Sequence, residues 1–524
     1  MLKNSSPFKQ DLIIGFRFKK YLTPVVLLGI ILLLGTALRF YDLGAESYWM
    51  DEMFSVVEGQ QSIHQLITSG KLDQPPAYYL PFHLWLKIFG TNEVSTRTFS
   101  VLVGICAIFV IYLIGRELFG KEVGVLSAFL MAISKFQLYY SQMTRFYIFF
   151  ELMTLLSILF FILALKSKKI SYFFLYGVAS TLMLYSHSFG VFILATQNLF
   201  FLLRGKKDKE LIVTWIISQI LILFTFVPYV FPLISGGSGI KDSVLSNTWG
   251  LPIPSVMNLM HSIYYFIFNA RGERSWGVVL ANYSAAVAFL VAGTWIYAIR
   301  KGKSNWVSAV RGWFASLKGV PDVAGKLLLV SCWLVCPVIM PFIFSLLFIP
   351  IYADRYVISA APSLYLLMAL GIYNARKVVP LIISLGALVI MIAPGLSDYY
   401  AQDVNEQWKE AAEYVEENSK SDEILVFAPN DLGIQQKTFN WYYHGTLPGC
   451  GISRPLPDSA IWDDLKQCIR GYERFWVIIR GSNNAVPPNR YRSFFLNPNQ
   501  EDFSLIQEHH FVKVSVFLLE LTKR

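Results

Sequence analysis

Apolar stretches long enough to cross a membrane follow one another from Tyr21 to about Ala393, with short polar breaks between them. A spanning helix needs about 20 mostly apolar residues. Such segments are expected at 21–39, 97–115, 122–140, 146–165, 170–186, 189–203, 211–233, 276–298, 327–349, 357–373 and 378–396. That makes about eleven helices, and an odd number starting from a cytoplasmic N-terminus leaves the C-terminus on the outer side. Beyond about Ser397 the long apolar runs stop and charge becomes denser. Residues 1–396 therefore read as an all-α polytopic membrane domain, and 397–524 as a separate water-soluble domain. Its pattern predicts a helix at 405–418 and strands at Ile424–Phe427, Arg474–Ile479 and Val512–Leu519, an α/β arrangement lying outside the cytoplasm on this topology.

Between the first two expected spans, residues 40–96 carry two shorter helical patterns. Phe54, Val57, Ile63, Leu66 and Ile67 recur at helical spacing within 51–69, and 78–89 repeats the pattern after Pro75-Pro76. Both are expected to lie along the membrane surface. No internal repeat or low-complexity segment interrupts the chain.

Composition agrees with bilayer as the main solvent: 55% of the 524 residues are hydrophobic, 16% aromatic and only 15% charged. The net charge of +10 does not point to nucleic acid. Its basic residues sit in short clusters between apolar spans (Lys19-Lys20, Lys166 to Lys169, Arg204 to Lys209, Arg300 to Lys303, Arg376-Lys377), which marks cytoplasmic loops. The run Tyr21–Leu38 is as long as a full span, so an uncleaved first helix is expected rather than a signal peptide. Of five cysteines, Cys450 and Cys468 fall in the terminal domain, where an oxidising compartment permits a disulfide that spacing alone does not establish.

The unusual polar residues gather on the outer face of this layout. Trp49-Met50-Asp51-Glu52 places two adjacent acids just after the first span, where a carboxylate can serve as general base or simply complement a helix dipole. Adjacent helical positions point about 100° apart, so one acid at most faces a reacting group. Asp73-Gln74-Pro75-Pro76 makes a stiff bend. Arg97 opens the second span; Arg145 lies in Thr144-Arg145-Phe146-Tyr147 and Arg355 in Tyr352-Ala353-Asp354-Arg355-Tyr356. Arginine binds phosphate oxygens bidentately and keeps its charge near lipid, although snorkelling, or pairing with Asp354, accounts for such residues equally well. His187, at another outer helix end, suits a structural hydrogen bond or, together with Asp51 or Glu52, a divalent metal.

In these features the chain resembles the bacterial branch of the dolichyl-phosphate-mannose protein mannosyltransferase family, which includes the lipid A aminoarabinose transferases. The acidic pair Asp51-Glu52, the Gln74-Pro75-Pro76 loop and Arg97 carry the resemblance, which is best from Leu38 to Leu194; beyond that it rests on span layout, Arg355 and a helix near Gln407–Glu417. The family often has His-Pro-Pro where this chain has Gln74-Pro75-Pro76, so no role for that histidine transfers. The resemblance implies a GT-C fold and an inverting transfer of a sugar from a polyprenyl-phosphate donor to an envelope glycan, lipid or protein, at the outer face of the inner membrane. On that implication Asp51 and Glu52 are catalytic, Arg97, Arg145 and Arg355 bind the donor phosphate, and Gln74, Tyr78, Tyr147 and His187 line the substrate cavity. Metal dependence is left open. A flippase of lipid-linked glycans is the rival expectation, although repeated halves and broken mid-membrane helices are missing from the pattern.

Overall fold

The computed structural model describes residues 23–68, 76–203, 208–234, 251–267, 323–374, 395–430, 433–452, 458–481, 490–496 and 502–522, with single residues 386 and 393. The expected spans at 276–298 and most of 378–396, the basic loop 299–322, and Gln74 with its bend lie outside them. The chain forms two compact units. One comprises the residues up to Arg39, Val101–Ser141 and Tyr147–Gly395; the other comprises Phe40–Ser100, Gln142–Phe146 and Leu396–Arg524.

The first unit is helical. Among the described residues four helices are long and apolar enough to cross a membrane: Glu93–Phe119 (α5), Tyr147–Ser167 (α8), Lys209–Pro228 within Lys209–Ile234 (α11), and Gly325–Leu347. A fifth span arises if Lys121–Ile133 (α6) and Lys135–Ser141 (α7), bent by 64°, count as one. Shorter apolar helices are Pro24–Phe40 (α1), Ile170–Leu184 (α9), Gly190–Leu203 (α10) and Ile358–Asn374. Nine of the expected segments thus coincide with apolar helices, whereas the count of eleven is not established among the described residues. Of its most apolar window, α8 has 83% buried against 22% for Lys209–Pro228, so α8 is central and α11 peripheral.

Glycine permits one close helix approach. A Cβ on Gly115 would lie 2.7 Å from Gly124 Cα, and one on Gly124 only 2.6 Å from Tyr112 O, so α5 and α6 meet backbone to backbone. Where α6 bends into α7, carbonyls lose their helical partners inside an apolar bundle. The buried Arg39 of α1 takes them up: its Nη groups donate to Ala132 O (3.1 Å) and Met131 O (3.3 Å), and its Nε to Ser141 Oγ (3.1 Å). The bend therefore leaves these buried groups satisfied.

The second unit is built around a five-stranded mixed sheet, ordered β2-β1-β3-β5-β4, from Ile424–Phe427 (β1), Gly449–Gly451 (β2), Arg474–Arg480 (β3), Phe503–Phe511 (β4) and Val514–Leu521 (β5). β1 runs parallel to β2 and β3; β5 is antiparallel to β3 and β4. The two-residue period of the strands sends Leu425, Phe427, Trp476 and Ile478 into one core and Ile424, Val426, Phe475 and Val477 into another. Helices Asp458–Cys468 and Arg490–Phe495 contribute Ile461, Leu465, Tyr491 and Phe495 to the second core. Cys450 and Cys468 form a disulfide, with Cα atoms 5.8 Å apart.

The first core joins distant parts of the sequence. Trp408, Ala411, Ala412 and Val415 of helix Trp408–Asn418 pack there with Phe439 and Tyr442 of helix Ile434–Tyr442, and so do Tyr48, Met53 and Val56. Those last three flank and belong to helix α2, Met50–Gly59. The segment after α1 and the terminal sheet thus pack into one folded body. The single surface helix expected at 51–69 is two, α2 and Ile63–Thr68 (α3), broken between Gln60 and Ser62; the one expected at 78–89 spans Pro76–Phe89 (α4).

Candidate active site

The acidic pair occupies the first turn of α2. Its two members have different fates. Glu52 is 1% exposed and bound to Arg97, itself 3% exposed, through two contacts: Arg97 Nη2 to Glu52 Oε2 at 2.8 Å and Nε to Oε1 at 3.0 Å. Thr144 N donates to the same Oε1 at 2.8 Å. The other donors of Arg97 reach Leu43 O (3.0 Å), Glu46 O (2.8 Å) and Ser47 O (3.1 Å). All five guanidinium N–H groups are spent on the protein. The expectation that Arg97 binds a donor phosphate does not fit this geometry: it neutralises Glu52 and ties down the loop before α2.

Asp51 is only partly buried, and among the described residues no hydrogen bond or ion pair engages its carboxylate. Its main chain is held, since Asp51 O accepts from Arg145 Nη1 at 3.1 Å and from Ser55 Oγ at 3.2 Å. Arg145 also donates to Ser55 Oγ at 2.9 Å, and its guanidinium stacks over Phe146 at 4.8 Å. Helix rotation explains the division, because one residue along α2 turns the side chain from the Arg97 pocket to an open direction.

Tyr78, expected to line a substrate cavity, is fully buried. It stacks on Phe82 at 5.3 Å, with Phe99 and Phe146 against its edges, and burial lifts its phenol well above the ordinary tyrosine range. It is a packing residue of this unit. Around α2 stand groups that the sequence pattern did not single out: Tyr48 N–H donates to Tyr442 OH at 2.7 Å, Tyr442 OH to Glu93 Oε1 at 2.5 Å, and Tyr48 OH to Thr91 O at 2.8 Å. Glu406, before the Trp408–Asn418 helix, accepts from Met50 N at 3.0 Å. A lone acid two residues before a tryptophan gives no periodic signal, so only the folded chain reveals its partners.

The remaining expected residues belong to the first unit. His187, in the turn between α9 and α10, accepts Phe189 N–H on Nδ1 at 3.1 Å and packs among Phe150, Phe189 and Tyr356 with ring centroids 5.1–5.2 Å away. Tyr147 lies 6.2 Å from the Tyr356 ring. Arg355 stacks over the same ring at 5.1 Å and donates to Tyr356 OH at 3.4 Å. Tyr147, His187 and Arg355 are therefore brought together on Tyr356. Asp354 accepts from Ser262 Oγ, and burial raises its carboxyl above the usual range against the pull of His261 and Arg355.

Among the described residues no group of three or more His, Cys, Asp or Glu side chains is arranged to hold a metal ion. Beside Asp51, the Glu52 carboxylate is already taken by Arg97 and Thr144. Among the described residues this donor set falls short of a divalent site.

Residues 73–231 match the family model described as dolichyl-phosphate-mannose-protein mannosyltransferase. That stretch contains Arg97, Arg145, Tyr147 and His187 and begins after the acidic pair. An uncharacterized protein of Aquifex aeolicus (strain VF5) is 27% identical over 188 residues, which cover 33% of this chain and 37% of that protein. The chain thus spans well under two thirds of that relative's length. Among solved structures, ArnT from Cupriavidus metallidurans bound to undecaprenyl phosphate has a TM-score of 0.55 at 10% identity, over 94% of this chain and 97% of its own. The apo oligosaccharyltransferase of Archaeoglobus fulgidus has a TM-score of 0.53 at 16% identity, over 88% and 70%. The archaeal oligosaccharyltransferase AglB from Archaeoglobus fulgidus, in complex with an inhibitory peptide and a dolichol-phosphate, has 0.52 at 16% identity, over 88% and 70%. With the mannosyltransferase match over 73–231 and several helices apolar enough to span a bilayer, the chain is a multi-pass membrane protein that shares its fold with ArnT and AglB.

Proposed function

We propose that the protein is an inverting glycosyltransferase that moves a sugar from a polyprenyl-phosphate donor to an envelope glycan, lipid or protein acceptor at the outer face of the inner membrane. ArnT binds undecaprenyl phosphate and AglB dolichol-phosphate, which favours a donor of this class. One observation supports the assignment of roles: of two adjacent acids, Glu52 is locked against Arg97, while no described residue engages the Asp51 carboxylate, whose backbone Arg145 and Ser55 hold.

In this scheme the acceptor hydroxyl or amine attacks the anomeric carbon as Asp51 takes its proton. The bond from that carbon to the phosphate oxygen breaks, its electron pair leaves on polyprenyl phosphate, and the configuration inverts. Arg145 supplies positive charge beside Asp51 for the leaving phosphate. For Arg355 we propose donor-phosphate binding on its own evidence, an arginine on an aromatic shelf with Tyr147 and His187. Arg97 and Glu52 act by fixing α2. Catalysis then rests on positioning and electrostatics. On this reading the terminal sheet lies outside the cytoplasm.

The test is to offer the purified protein in lipid a panel of polyprenyl-phosphate sugars and an acceptor-containing membrane extract, with carrier release read by mass spectrometry. Release by the wild-type protein and none by Asp51→Asn is the expected result. Near-normal turnover by Asp51→Asn removes the assignment. Transbilayer movement of a labelled donor without release turns the reading to the flippase. Arg355→Ala is expected to raise the donor KM.

A further inference from the structure

We infer that Glu406, outside the acidic pair and far from it in sequence, is the residue that positions the Asp51-bearing helix. The inference rests on the reading of Asp51 as the reactive acid. A helix begins with unpaired N–H groups, which an N-cap oxygen normally satisfies. The N-cap of α2 is Trp49, with extended backbone (φ −85°, ψ 166°) and no capping side-chain bond. Glu406 fills the role from another part of the chain. Its Oε2 accepts Met50 N–H at 3.0 Å, one residue before Asp51, so a carboxylate meets the positive end of the helix.

This carboxylate is itself held. Trp408 Nε1 donates to the same oxygen at 2.7 Å, Arg480 Nε on β3 donates to Oε1 at 2.6 Å, and Glu406 is 2% exposed. The main chains are laced too: Ser47 Oγ donates to Glu406 O at 2.8 Å, and the Glu46 carboxylate accepts Val404 N at 2.6 Å and Asn405 N at 3.1 Å. A continuous set of hydrogen bonds therefore runs from β3 through Arg480 and Glu406 to the first N–H of the helix carrying Asp51. The sheet fixes where the acid stands. Glu406 does not touch the reacting atoms; it acts through α2.

The test combines kinetics with amide exchange on the full-length protein in lipid. Glu406→Ala is expected to lower kcat per folded molecule about 10–100-fold, the scale of a misplacement near 1 Å, with donor KM within about twofold. Glu406→Gln keeps one acceptor oxygen and is expected to lose less. Arg480→Met, at a half-exposed position, is expected to lower kcat about 3–10-fold with KM unchanged, and it decides the matter if Glu406→Ala does not fold. In each variant amide exchange should quicken in a peptide covering 46–55 while β3 and β5 stay protected. Unchanged kcat per folded molecule, or a raised KM at constant kcat, overturns the inference. If Asp51→Asn proves active the reactive-acid reading fails, and quickened exchange at 46–55 still reports separately whether Glu406 holds the helix.

Discussion

Neutralising two neighbouring acids should have opposite consequences. In Glu52→Gln the guanidinium of Arg97, 3% exposed, loses its paired carboxylate while keeping its three carbonyl acceptors. Two unit charges about 4 Å apart attract by ~4 kcal/mol at an effective dielectric near 20. Removing one partner of a buried pair costs about 3–5 kcal/mol by measurement elsewhere. At about 2–4 °C per kcal/mol for a unit of some 150–250 residues, the midpoint should fall by about 6–20 °C. Asp51→Asn replaces a partly exposed carboxylate without described partners, so its midpoint should stay within about 2 °C while transfer is lost. Thermal unfolding read by tryptophan fluorescence, with Trp408 and Trp476 in the core shared with α2, measures both. The double variant Glu52→Gln/Arg97→Gln should recover part of the loss, because no charge is left buried alone. Equal stability of the two single variants, or an inactive Glu52→Gln as stable as the wild type, refutes the division of labour.

Other consequences follow from particular contacts. Reducing the Cys450–Cys468 disulfide, which closes a separation of 18 residues, should cost about 3 kcal/mol, seen as a lower denaturation midpoint with reductant and abolished in Cys450→Ser/Cys468→Ser. Gly124→Ala puts a methyl 2.6 Å from Tyr112 O and should destabilise by about 1–3 kcal/mol, whereas Gly177→Ala, with nothing within 4 Å, should be neutral by the same melt. Burial raises the Glu46 carboxyl above its ordinary value of 4.5, so the folded state holds this proton more tightly than the unfolded one. Its contribution to stability is then fully present below that value and lost as pH rises through the folded one. Glu46→Gln should therefore flatten the pH dependence of the melting midpoint from the ordinary glutamate range upward.

The sequence revealed those parts of the molecule that depend on local pattern. Helices α5 and α8 are long apolar runs, and β1, β3 and β5 are runs of β-branched and aromatic residues, so each is visible to a window of a few turns or pleats. The bend at Ser134 is invisible to such a window, because what satisfies its carbonyls is Arg39, more than ninety residues away. β4 gives no such signal, because it is an edge strand with a bulge between Leu505 and Gln507, and its outward residues break the alternation. Asp51, Glu52 and Arg97 drew notice as charges beside apolar spans. Their separate roles did not, since composition cannot tell a carboxylate saturated by a guanidinium from one left open.

The shared core bears on how the terminal domain should be studied. Truncation after residue 396 is the obvious way to ask whether the sheet selects the acceptor, yet it also strips α2 of what it packs on. Met53 and Val56 are fully buried in a core whose other members include Trp408, Phe439 and Trp476, and Met50 N–H takes its partner from Glu406. Exposing side chains of this size costs about 1.5–3 kcal/mol each, before the loss of the cap at about 1 kcal/mol. The truncated protein should therefore insert its membrane helices while the 40–68 segment becomes open to protease, and it should be inactive toward every acceptor. Limited proteolysis with mass spectrometry reads the first outcome and the donor-release assay the second. A truncated protein protected at 40–68 and still able to release carrier would show that α2 keeps its place without the sheet. Acceptor choice is better probed on the exposed strand β4, where Leu505 and Ile506 face outward and substitution leaves both cores and the Glu406 link intact.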